Sequence, residues 1–394
     1  MICLWVNKRE WMYPGPILTV GLQNAHSLAT IGIETHLCCG SGSASDTDRD
    51  LREFYGVEPH ELLKVHRLSP PFGGNCGGSA LFFARAFALA RRLSKRDRLA
   101  VLTRDPGFLP FLACLCRNRA IRGFYEAHNF LADLSWRDAS PGWAERRDGW
   151  LERRFLPRVS GLVAITRKQR ELYQGIFPRL PSCALPLGTR PTAVAEEEMA
   201  RRRGLRTLIY VGHLHGFKGV SRLLSFARKF SGAANVRLLF VGGAPQQLKR
   251  FRARAAALEK SGAVSFRPFV SPGELASILQ TEASAGAVLL EDTYYNRYLT
   301  CPAKALDYIS HGLPVLATDL PSNREILGDA GSYVQSRPEL FDALIRLLGS
   351  PEAYAAASRA ALARARELSW ENRARQLAAF ILDAFGERGG GRQD

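Results

Sequence analysis

The sequence predicts an α/β protein that consists of two doubly wound parallel-sheet domains. The first observation is length, because a single hydrophobic core seldom grows beyond about 250–300 residues and this chain has 394. The second is the alternation of short apolar runs with helical segments, which is typical of parallel sheets covered by helices. The third is the segment LPLGTRPTAVAEEE (185–198), rich in Pro, Gly and charge, which separates two such series. We therefore predict domains at 1–188 and 189–366.

The first domain is predicted to begin with a strand and an amphipathic helix. After the first apolar run, LTVGLQNAHSLATIG carries apolar residues at helical spacing, and Gly32 stands where that helix should end. The predicted strands of this domain are 2–6, 35–39, 99–103, 123–128 and 161–166.

The second domain repeats the pattern with new strands. Its predicted strands are 207–212, 236–243, 263–269, 285–290, 313–318 and 331–334. Helical segments such as VSRLLSFARKF and SPGELASILQTEA lie between them. An Ala- and Arg-rich helical stretch follows and continues over 367–385, and GERGGGRQD (386–394) has the composition of a disordered tail.

The charge balance indicates an anionic partner. Lys plus Arg total 54 and Asp plus Glu total 37, which gives a net charge of +17 spread along the chain. Such a surplus leaves open a phosphorylated ligand, an acidic lipid or nucleic acid. Because no nucleic-acid-binding module or basic stripe with interleaved aromatic residues is present, we do not expect nucleic acid.

Several other classes are excluded on the sequence alone. No run of about 18 apolar residues could form a membrane-spanning helix, and the start, MICLWVNKRE, reads as a strand rather than a secretion signal. The eight cysteines form no CxxC pair, so a metal site is not expected. The dinucleotide fingerprint GxGxxG is missing, which argues against a nicotinamide enzyme. We predict a cytoplasmic protein with reduced cysteines.

The strongest motif is the strand, turn and helix of YVGHLHGFKGVSRLL. Its strand ends at Gly212, and Lys218 lies in the loop just before a helix begins near Gly219. Open α/β sheets bind ligands at the carboxyl ends of strands, where helix amino termini attract phosphate. Lys218 is therefore a candidate phosphate ligand, and a solvated surface lysine is the alternative.

A second motif is TCPAKALDYISHGLPVLATD. Pro302 is predicted as the first helical residue, where its missing N–H costs nothing. Lys304 and Asp307 are three residues apart and hence on one helix face. The carboxylate of Asp307 would accept hydrogen bonds from a ribose diol, while free amides at 299–301 would meet a diphosphate. The alternative is an exposed ion pair worth a few tenths of a kcal/mol.

The first domain offers a smaller candidate site. YEAHNF follows a buried strand and places Glu126 and His128 on one side of it, with His128 able to donate to a phosphate or a sugar hydroxyl. Gly15 lies in the YPGPI loop after the first strand, where it would let a ligand approach the backbone. In isolation, a structural histidine is the alternative.

Taken together, these motifs resemble those of the retaining glycosyltransferases of the GT-B fold, in particular family four, the group 1 glycosyl transferases. YVGHLHGFKG is similar to the YxGRLxxxKG loop of that family, CPAKALDYISHGLPV to its SPxKLxEYMAxGxPV motif, and YEAHNF to its ExHD strand end. SWENRARQLAAF resembles the final helix, which crosses back to the amino-terminal domain. The resemblance implies two Rossmann-like domains that face each other across a cleft.

The resemblance also implies sugar transfer from a UDP- or GDP-linked donor, with retained configuration and without a metal or a cofactor. Lys218 would bind the donor diphosphate, Asp307 the ribose, and His128 the donor phosphate or sugar near the reacting carbon. The other implied donor-binding residues are Gly15, Gly212, His213, Val270, Thr300, Pro302 and Lys304.

Three departures from the family pattern are visible. His213 replaces the expected basic residue after the glycine, and Asp307 is one methylene shorter than the family's Glu. The first acid of the family's paired-acid motif falls on Leu299, so its task would shift to Asn296, Tyr298 or Thr300. The missing acid leaves open an inactive nucleotide-sugar- or polyanion-binding protein of the same fold. A sugar-nucleotide epimerase is the other alternative because it shares the scaffold, but it would need paired carboxylates, and Leu299 argues against it.

The acceptor is predicted from the first domain. Trp136, Trp143 and Trp150 are spaced by seven residues among many arginines, and 84–98 is a second basic amphipathic stretch. Tryptophan with arginine on a helix suits anionic lipid headgroups, whereas a helix packed by its tryptophan face is the alternative. We expect peripheral attachment to the inner face of the cell membrane, with a saccharide or lipid-linked saccharide as acceptor.

Overall fold

The computed structural model describes residues 1–13, 15–42, 45–68, 78–137 and 139–386. Within these ranges the contacts divide the chain into two compact units. Unit 1 consists of Met1–Pro186 together with the segment that starts at Trp370, and unit 2 is Leu187–Ser369. The predicted tail beyond Gly386 lies outside the described residues.

Unit 1 is a seven-stranded sheet in the order β3-β2-β1-β4-β5-β6-β7, with all pairings parallel. Its strands are β1 (Ile2–Glu10), β2 (Glu34–Gly40), β3 (Leu63–Leu68), β4 (Leu99–Thr103), β5 (Ile121–Ala127), β6 (Gly161–Ala164) and β7 (Ser182–Ala184). Its first helices are α1 (Pro16–Thr30), α2 (Thr47–Glu53), α3 (Gly78–Leu93), α4 (Leu109–Leu115), α5 (Trp143–Phe155) and α6 (Arg167–Ile176).

Unit 2 is a six-stranded parallel sheet in the order β10-β9-β8-β11-β12-β13. Its strands are β8 (Thr207–Val211), β9 (Arg237–Val241), β10 (Val264–Arg267), β11 (Ala285–Val288), β12 (Val315–Thr318) and β13 (Gly331–Val334). Its helices are α7 (Glu196–Leu205), α8 (Val220–Ala234), α9 (Pro245–Lys260), α10 (Pro272–Thr281), α11 (Ala303–Ser310), α12 (Pro321–Leu327), α13 (Arg337–Gly349) and α14 (Pro351–Glu367).

The last helix, α15 (Trp370–Ala384), belongs to unit 1 although unit 2 precedes it in the chain. It packs on α1, and Leu377 and Ile381 are fully buried in the core between the sheet and its helices. Unit 1 is therefore built from two separate stretches of sequence.

The strand order of both sheets confirms the doubly wound prediction. In each sheet the chain moves outward from the first strand, then returns and continues on its other side, so the order reverses between β1 and β4 and between β8 and β11. Ligands of open α/β sheets bind at the carboxyl ends of the strands beside this reversal. The loops after β8 and β11 are therefore the natural place for a ligand in unit 2.

Two strands were not predicted from the sequence, β3 and β7. Both lie at the edges of the seven-stranded sheet. β3 is only partly buried along its length, with Lys64 exposed, and β7 has just three residues. Edge strands need not carry the continuous apolar run that identifies a strand buried on both faces, so the sequence pattern was too weak to reveal them.

Candidate functional site

The loop after β8 is shaped by a close approach to the neighbouring strand. A short 3₁₀ turn, Gly216–Lys218, leads to Gly219, whose φ of 84° lies in the left-handed region. A Cβ at Gly219 would stand 1.9 Å from the carbonyl oxygen of Leu289, just beyond β11. Glycine is thus required here on two grounds. This close approach places Lys218 at the carboxyl ends of β8 and β11.

Gly219→Ala is expected to destabilise unit 2 by more than the roughly 1–2 kcal/mol that a left-handed backbone costs alanine, because the new methyl group also collides with Leu289. Gly216→Ala is the matched control, since a Cβ at Gly216 meets no atom within 4 Å, and a change within about 0.5 kcal/mol is expected. Calorimetric unfolding of both variants measures the difference. Equal stability of the two variants would contradict the close approach.

Three basic side chains, those of His213, Lys218 and Lys304, lie at this end of the sheet. The Lys304 Nζ atom lies 3.8 Å from the centroid of the Tyr210 ring, and a Cβ on Gly212 would lie 4.0 Å from that nitrogen. The Lys218 Nζ atom lies 5.5 Å from the centroid of the Tyr295 ring. Within the described residues, neither lysine forms an ion pair or a hydrogen bond through its ammonium group.

The electrostatics of this group favour an anion. Burial lowers the pKa of Lys304 well below its ordinary value, and Lys218 lowers it further against the opposing charge of Asp307. Burial also lowers the pKa of Lys218. The pKa of His213 is lowered by burial first, then by His215 and the two lysines. These side chains repel one another when all are positively charged. A bound phosphate or diphosphate would stabilise their charged forms.

The amino terminus of α11 lies next to these lysines. The helix begins at Ala303, so Pro302 occupies the N-cap position with a ψ of 89° rather than the first helical position that we predicted. A proline ring fixes φ but permits this extended ψ, so the helix starts one residue later. No side chain within the described structure caps this terminus. Thr300, which is buried, precedes it.

Asp307 lies one turn into α11 and is half-buried. Its carboxylate makes no hydrogen bond within the part of the chain that the structure describes. Burial raises the pKa of Asp307 to about 7, against the opposing effect of Lys304. The carboxylate thus has all its acceptor positions available, and hydrogen bonds from ligand hydroxyl groups would favour its ionised form.

This raised pKa has a consequence for stability. Between the ordinary pKa of 3.8 and the folded value of about 7, the folded protein holds a proton that the unfolded chain has lost. The free energy of unfolding should therefore fall as pH rises through that window and level off above it. Relative to wild type, Asp307→Asn should gain stability over the same window in calorimetric scans. Asp342→Asn, a substitution of an exposed aspartate on α13, is the matched control.

The residues expected to replace the missing acid have different roles. Leu299 is fully buried, as is Asn296, whose amide donates to the backbone oxygens of Phe217 at 3.0 Å and Glu291 at 2.8 Å. Asn296 therefore ties the Lys218 loop to the loop after β11 through its amide nitrogen, while its Oδ1 atom is buried without a hydrogen-bond partner among the described residues. Tyr298 is half-buried and lies against Tyr294, with ring centroids 5.0 Å apart.

Val270 lies just after β10, immediately before the N-cap serine of α10. Its neighbour Phe269 is 50% exposed, and the ring centroid of Phe269 is 4.9 Å from that of His213. The structure thus brings the loops after β8 and β10 together, with Gly212, His213, Lys218 and Lys304 on one side and an exposed aromatic ring on the other.

Unit 1 holds a separate buried group around His128. His128 follows β5, and its Nε2 atom lies 2.5 Å from Oε1 of Glu126, which is 1% exposed. Arg373 of α15 donates to Oε2 of Glu126 at 2.6 Å. Burial alone would raise the pKa of Glu126, but Arg373 and His128 lower it to about 2. We did not predict Arg373, because nothing distinguishes it from the other arginines of that helix.

Gly15 occupies the N-cap position of α1, where a Cβ would stand 3.3 Å from the Tyr13 ring. The group around His128 reaches α1 further along, at Asn24, which accepts a hydrogen bond from Arg373. The described residues contain no cluster of three or more His, Cys, Asp or Glu side chains that could hold a metal ion. No helix among them is long and apolar enough to cross a membrane.

Comparisons with known proteins agree with this geometry. Residues 205–350 match the family model described as glycosyl transferases group 1. We found no match among curated protein sequences. Among solved structures, HepE of Anabaena in complex with UDP and glucose superposes with a TM-score of 0.67 at 14% identity, over 97% of this chain and 100% of that one.

Two further structures are similar over nearly the whole chain. Sucrose-phosphate synthase from Thermosynechococcus elongatus has a TM-score of 0.67 at 16% identity, with 98% of this chain and 100% of that one covered. WaaG, a glycosyltransferase involved in lipopolysaccharide biosynthesis, has a TM-score of 0.62 at 18% identity, with 96% and 99% covered. The chain therefore has the GT-B fold, and its residues 205–350 carry the sequence pattern of the group 1 glycosyl transferases.

Proposed function

We propose that this protein is a retaining, metal-independent glycosyltransferase that moves a sugar from a nucleotide-sugar donor to a saccharide acceptor. The observation that carries the proposal is the group of three basic side chains, His213, Lys218 and Lys304, beside Asp307, whose carboxylate has no hydrogen-bond partner among the described residues. A nucleoside diphosphate offers both a diphosphate for the cations and ribose hydroxyls for the carboxylate. The family match over residues 205–350 supports the same reading.

The proposed chemistry follows from where charge develops. Breaking the bond between the sugar and the diphosphate leaves negative charge on the leaving oxygen. Lys218, Lys304 and the uncapped amino terminus of α11 would stabilise that charge in the transition state. A diphosphate oxygen would take the proton of the acceptor hydroxyl as the acceptor attacks from the same face. This route needs no protein nucleophile and retains the configuration of the sugar.

A thermal-shift screen over UDP-, GDP- and ADP-linked sugars tests the donor, because a ligand that binds the folded state raises its apparent stability. UDP-glucose is the first compound to try, since HepE was crystallised with it. We expect one nucleotide sugar to raise the melting temperature and to be hydrolysed slowly without acceptor. Binding without turnover would favour an inactive binding protein, and a change of sugar configuration would favour an epimerase. Failure of all of them to bind would refute the proposal.

We further propose that α5 places unit 1 on an anionic membrane surface that presents a lipid-linked acceptor. Trp143 and Trp150 are 75% and 59% exposed. Trp143, Arg147, Trp150 and Arg154 are separated by four, three and four residues. They therefore share one face of the helix. The opposite face is buried. An exposed stripe of tryptophan and arginine matches the interface between lipid headgroups and acyl chains.

Trp136 does not belong to this surface. It precedes α5 and donates its indole N–H to the carbonyl oxygen of Phe130 at 3.1 Å. The seven-residue spacing predicted that all three tryptophans lie on one helix, but α5 begins only at Trp143. The membrane surface is therefore limited to the two exposed tryptophans and the arginines beside them.

Replacing both Trp143 and Trp150 by alanine is expected to lower partitioning onto phosphatidylglycerol vesicles at least about tenfold, because each indole would bury its large ring at the interface. Co-sedimentation at low and physiological salt measures the effect. Ile176→Ala on α6 is the matched control, since Ile176 is also an exposed apolar residue of unit 1. Equal binding of wild type to neutral and anionic vesicles would refute the proposed surface.

A further inference from the structure

Arg373, Glu126 and His128 form a continuous buried chain of polar groups in unit 1. The side chains of Arg373 and Glu126 are 3% and 1% exposed, and that of His128 is 15% exposed. Arg373 also donates through Nε to the carbonyl oxygen of Pro186 at 2.8 Å and through Nη1 to Oδ1 of Asn24. Its guanidinium is therefore fixed by three partners, and it holds one carboxylate oxygen of Glu126 in place.

These contacts determine where the proton of His128 resides. Burial first, and then Arg104, lower the pKa of His128 to about 4, although Glu126 acts in the opposite direction and Arg373 lowers it slightly more. Burial and the neighbouring guanidinium groups thus favour the neutral imidazole, which carries one N–H. An ionised carboxylate only accepts hydrogen bonds, so the proton must lie on Nε2, which faces Glu126. Nδ1 is left with a lone pair.

We infer that Arg373 is a positioning residue that acts through Glu126 to keep Nδ1 of His128 as a hydrogen-bond acceptor for a substrate hydroxyl group. The identification of the ligand as a substrate hydroxyl group rests on the proposed function, whereas the roles of Arg373 and Glu126 do not. It revises the expectation that His128 donates to a phosphate, because the only N–H of the neutral ring is already used. An acceptor nitrogen suits a sugar or acceptor hydroxyl, and it repels a phosphate oxygen.

The decisive variant is Glu126→Gln, because Arg373 dictates how the new amide is oriented. A guanidinium only donates, so the amide oxygen should face Arg373 and the NH₂ group should face His128. Nε2 would then become the acceptor and the proton would move to Nδ1. Long-range ¹H–¹⁵N NMR spectra of histidine-labelled protein, assigned with His128→Gln, report the tautomer. We expect loss of the Nε2–H form. Persistence of that form in Glu126→Gln would overturn the inference.

A double variant isolates the contribution of Arg373. In the Glu126→Gln background, Arg373→Met frees the amide to rotate, so both tautomers of His128 should appear. Removing both charged partners also avoids an uncompensated buried ion, which keeps the variant foldable. Arg375→Met in the same background is the matched control, because Arg375 lies on the same helix but pairs with the exposed Glu371. An identical tautomer in both double variants would show that Arg373 does not position His128.

Ligand titrations of the wild-type protein identify the hydroxyl. The probes are the nucleotide sugar found in the thermal-shift screen and the matching nucleoside diphosphate. If the Nδ1 chemical shift changes with the nucleotide sugar but not with the nucleoside diphosphate, the hydroxyl belongs to the donor sugar. If it changes with neither probe, the hydroxyl belongs to the acceptor. Conversion of Nδ1 to an N–H donor by the nucleoside diphosphate would overturn the inference. If no nucleotide sugar binds, the proposed function fails, but the tautomer measurements still decide the role of Arg373.

Discussion

Lys218→Ala is expected to lower kcat/KM for the nucleotide sugar by about 10²–10³-fold, or ~2.7–4 kcal/mol of transition-state stabilisation. The lysine lies at the carboxyl ends of β8 and β11, and its ammonium group has no ion-pair partner among the described residues. Charge on the leaving diphosphate is greatest as the bond to the sugar breaks. The loss should therefore appear mainly in kcat, with a smaller rise in KM, in steady-state assays with the donor found by thermal shift.

Lys249→Ala is the control for this variant, because Lys249 is an exposed lysine on α9 in the same unit. It changes the net charge by the same amount without touching the loop after β8. Its kcat/KM should stay within about twofold of wild type, since surface substitutions have small effects. If Lys218→Ala also stayed within this range, the lysine would not stabilise the leaving group and the proposed chemistry would have to be abandoned.

Arg373→Met should cost unit 1 about 3–5 kcal/mol of unfolding free energy, the usual penalty for removing one partner of a buried ion pair. The carboxylate of Glu126 would be left uncompensated, and Asn24 and Pro186 would lose their donor. All six tryptophans of the chain belong to unit 1. Tryptophan fluorescence during urea unfolding therefore reports on this unit alone.

The comparison variant is Arg375→Met, which breaks only the exposed pair with Glu371. Exposed pairs contribute about 0–1 kcal/mol, so this change should be small. The double variant Arg373→Met/Glu126→Gln should recover part of the loss, because no buried charge remains unpaired. A midpoint for Arg373→Met equal to that of Arg375→Met would mean that the ion pair does not hold α15 in place.

The fold was predictable because the strands at the centre of both sheets are buried on both faces. Runs such as LAVLT and LPVLAT are continuously apolar for that reason, and all of them form the expected strands. The strands β3 and β7 escaped prediction because β3 is only partly buried along its length and β7 has just three partly buried residues, so neither carries a clear apolar run. The positions of Lys218, Lys304 and Asp307 in unit 2 were predictable as well, since each lies at a short, fixed spacing from a strand end or a helix start.

The parts that were not predictable depend on contacts between distant residues. The bond from Arg373 to Glu126 joins positions 247 residues apart, and no local pattern marks either partner. Asn296 was expected to contact a sugar, yet its burial and its two backbone acceptors became visible only when β11 and the Lys218 loop were placed side by side. Sequence spacing identifies which elements could meet a ligand, whereas tertiary packing decides which side chains already have hydrogen-bond partners.

The position of α15 affects how the protein is made. A ribosome completes residues 1–186 long before it reaches Trp370, so the nascent first sheet must wait, without its last helix, while all of unit 2 is synthesised. During that interval Leu377 and Ile381 are missing from the core, and Glu126 has no cationic partner from Arg373. Unit 2 is continuous in sequence and needs no such later piece. Amino-terminal domains usually fold first during synthesis, but in this chain unit 1 cannot be completed until all of unit 2 has been synthesised.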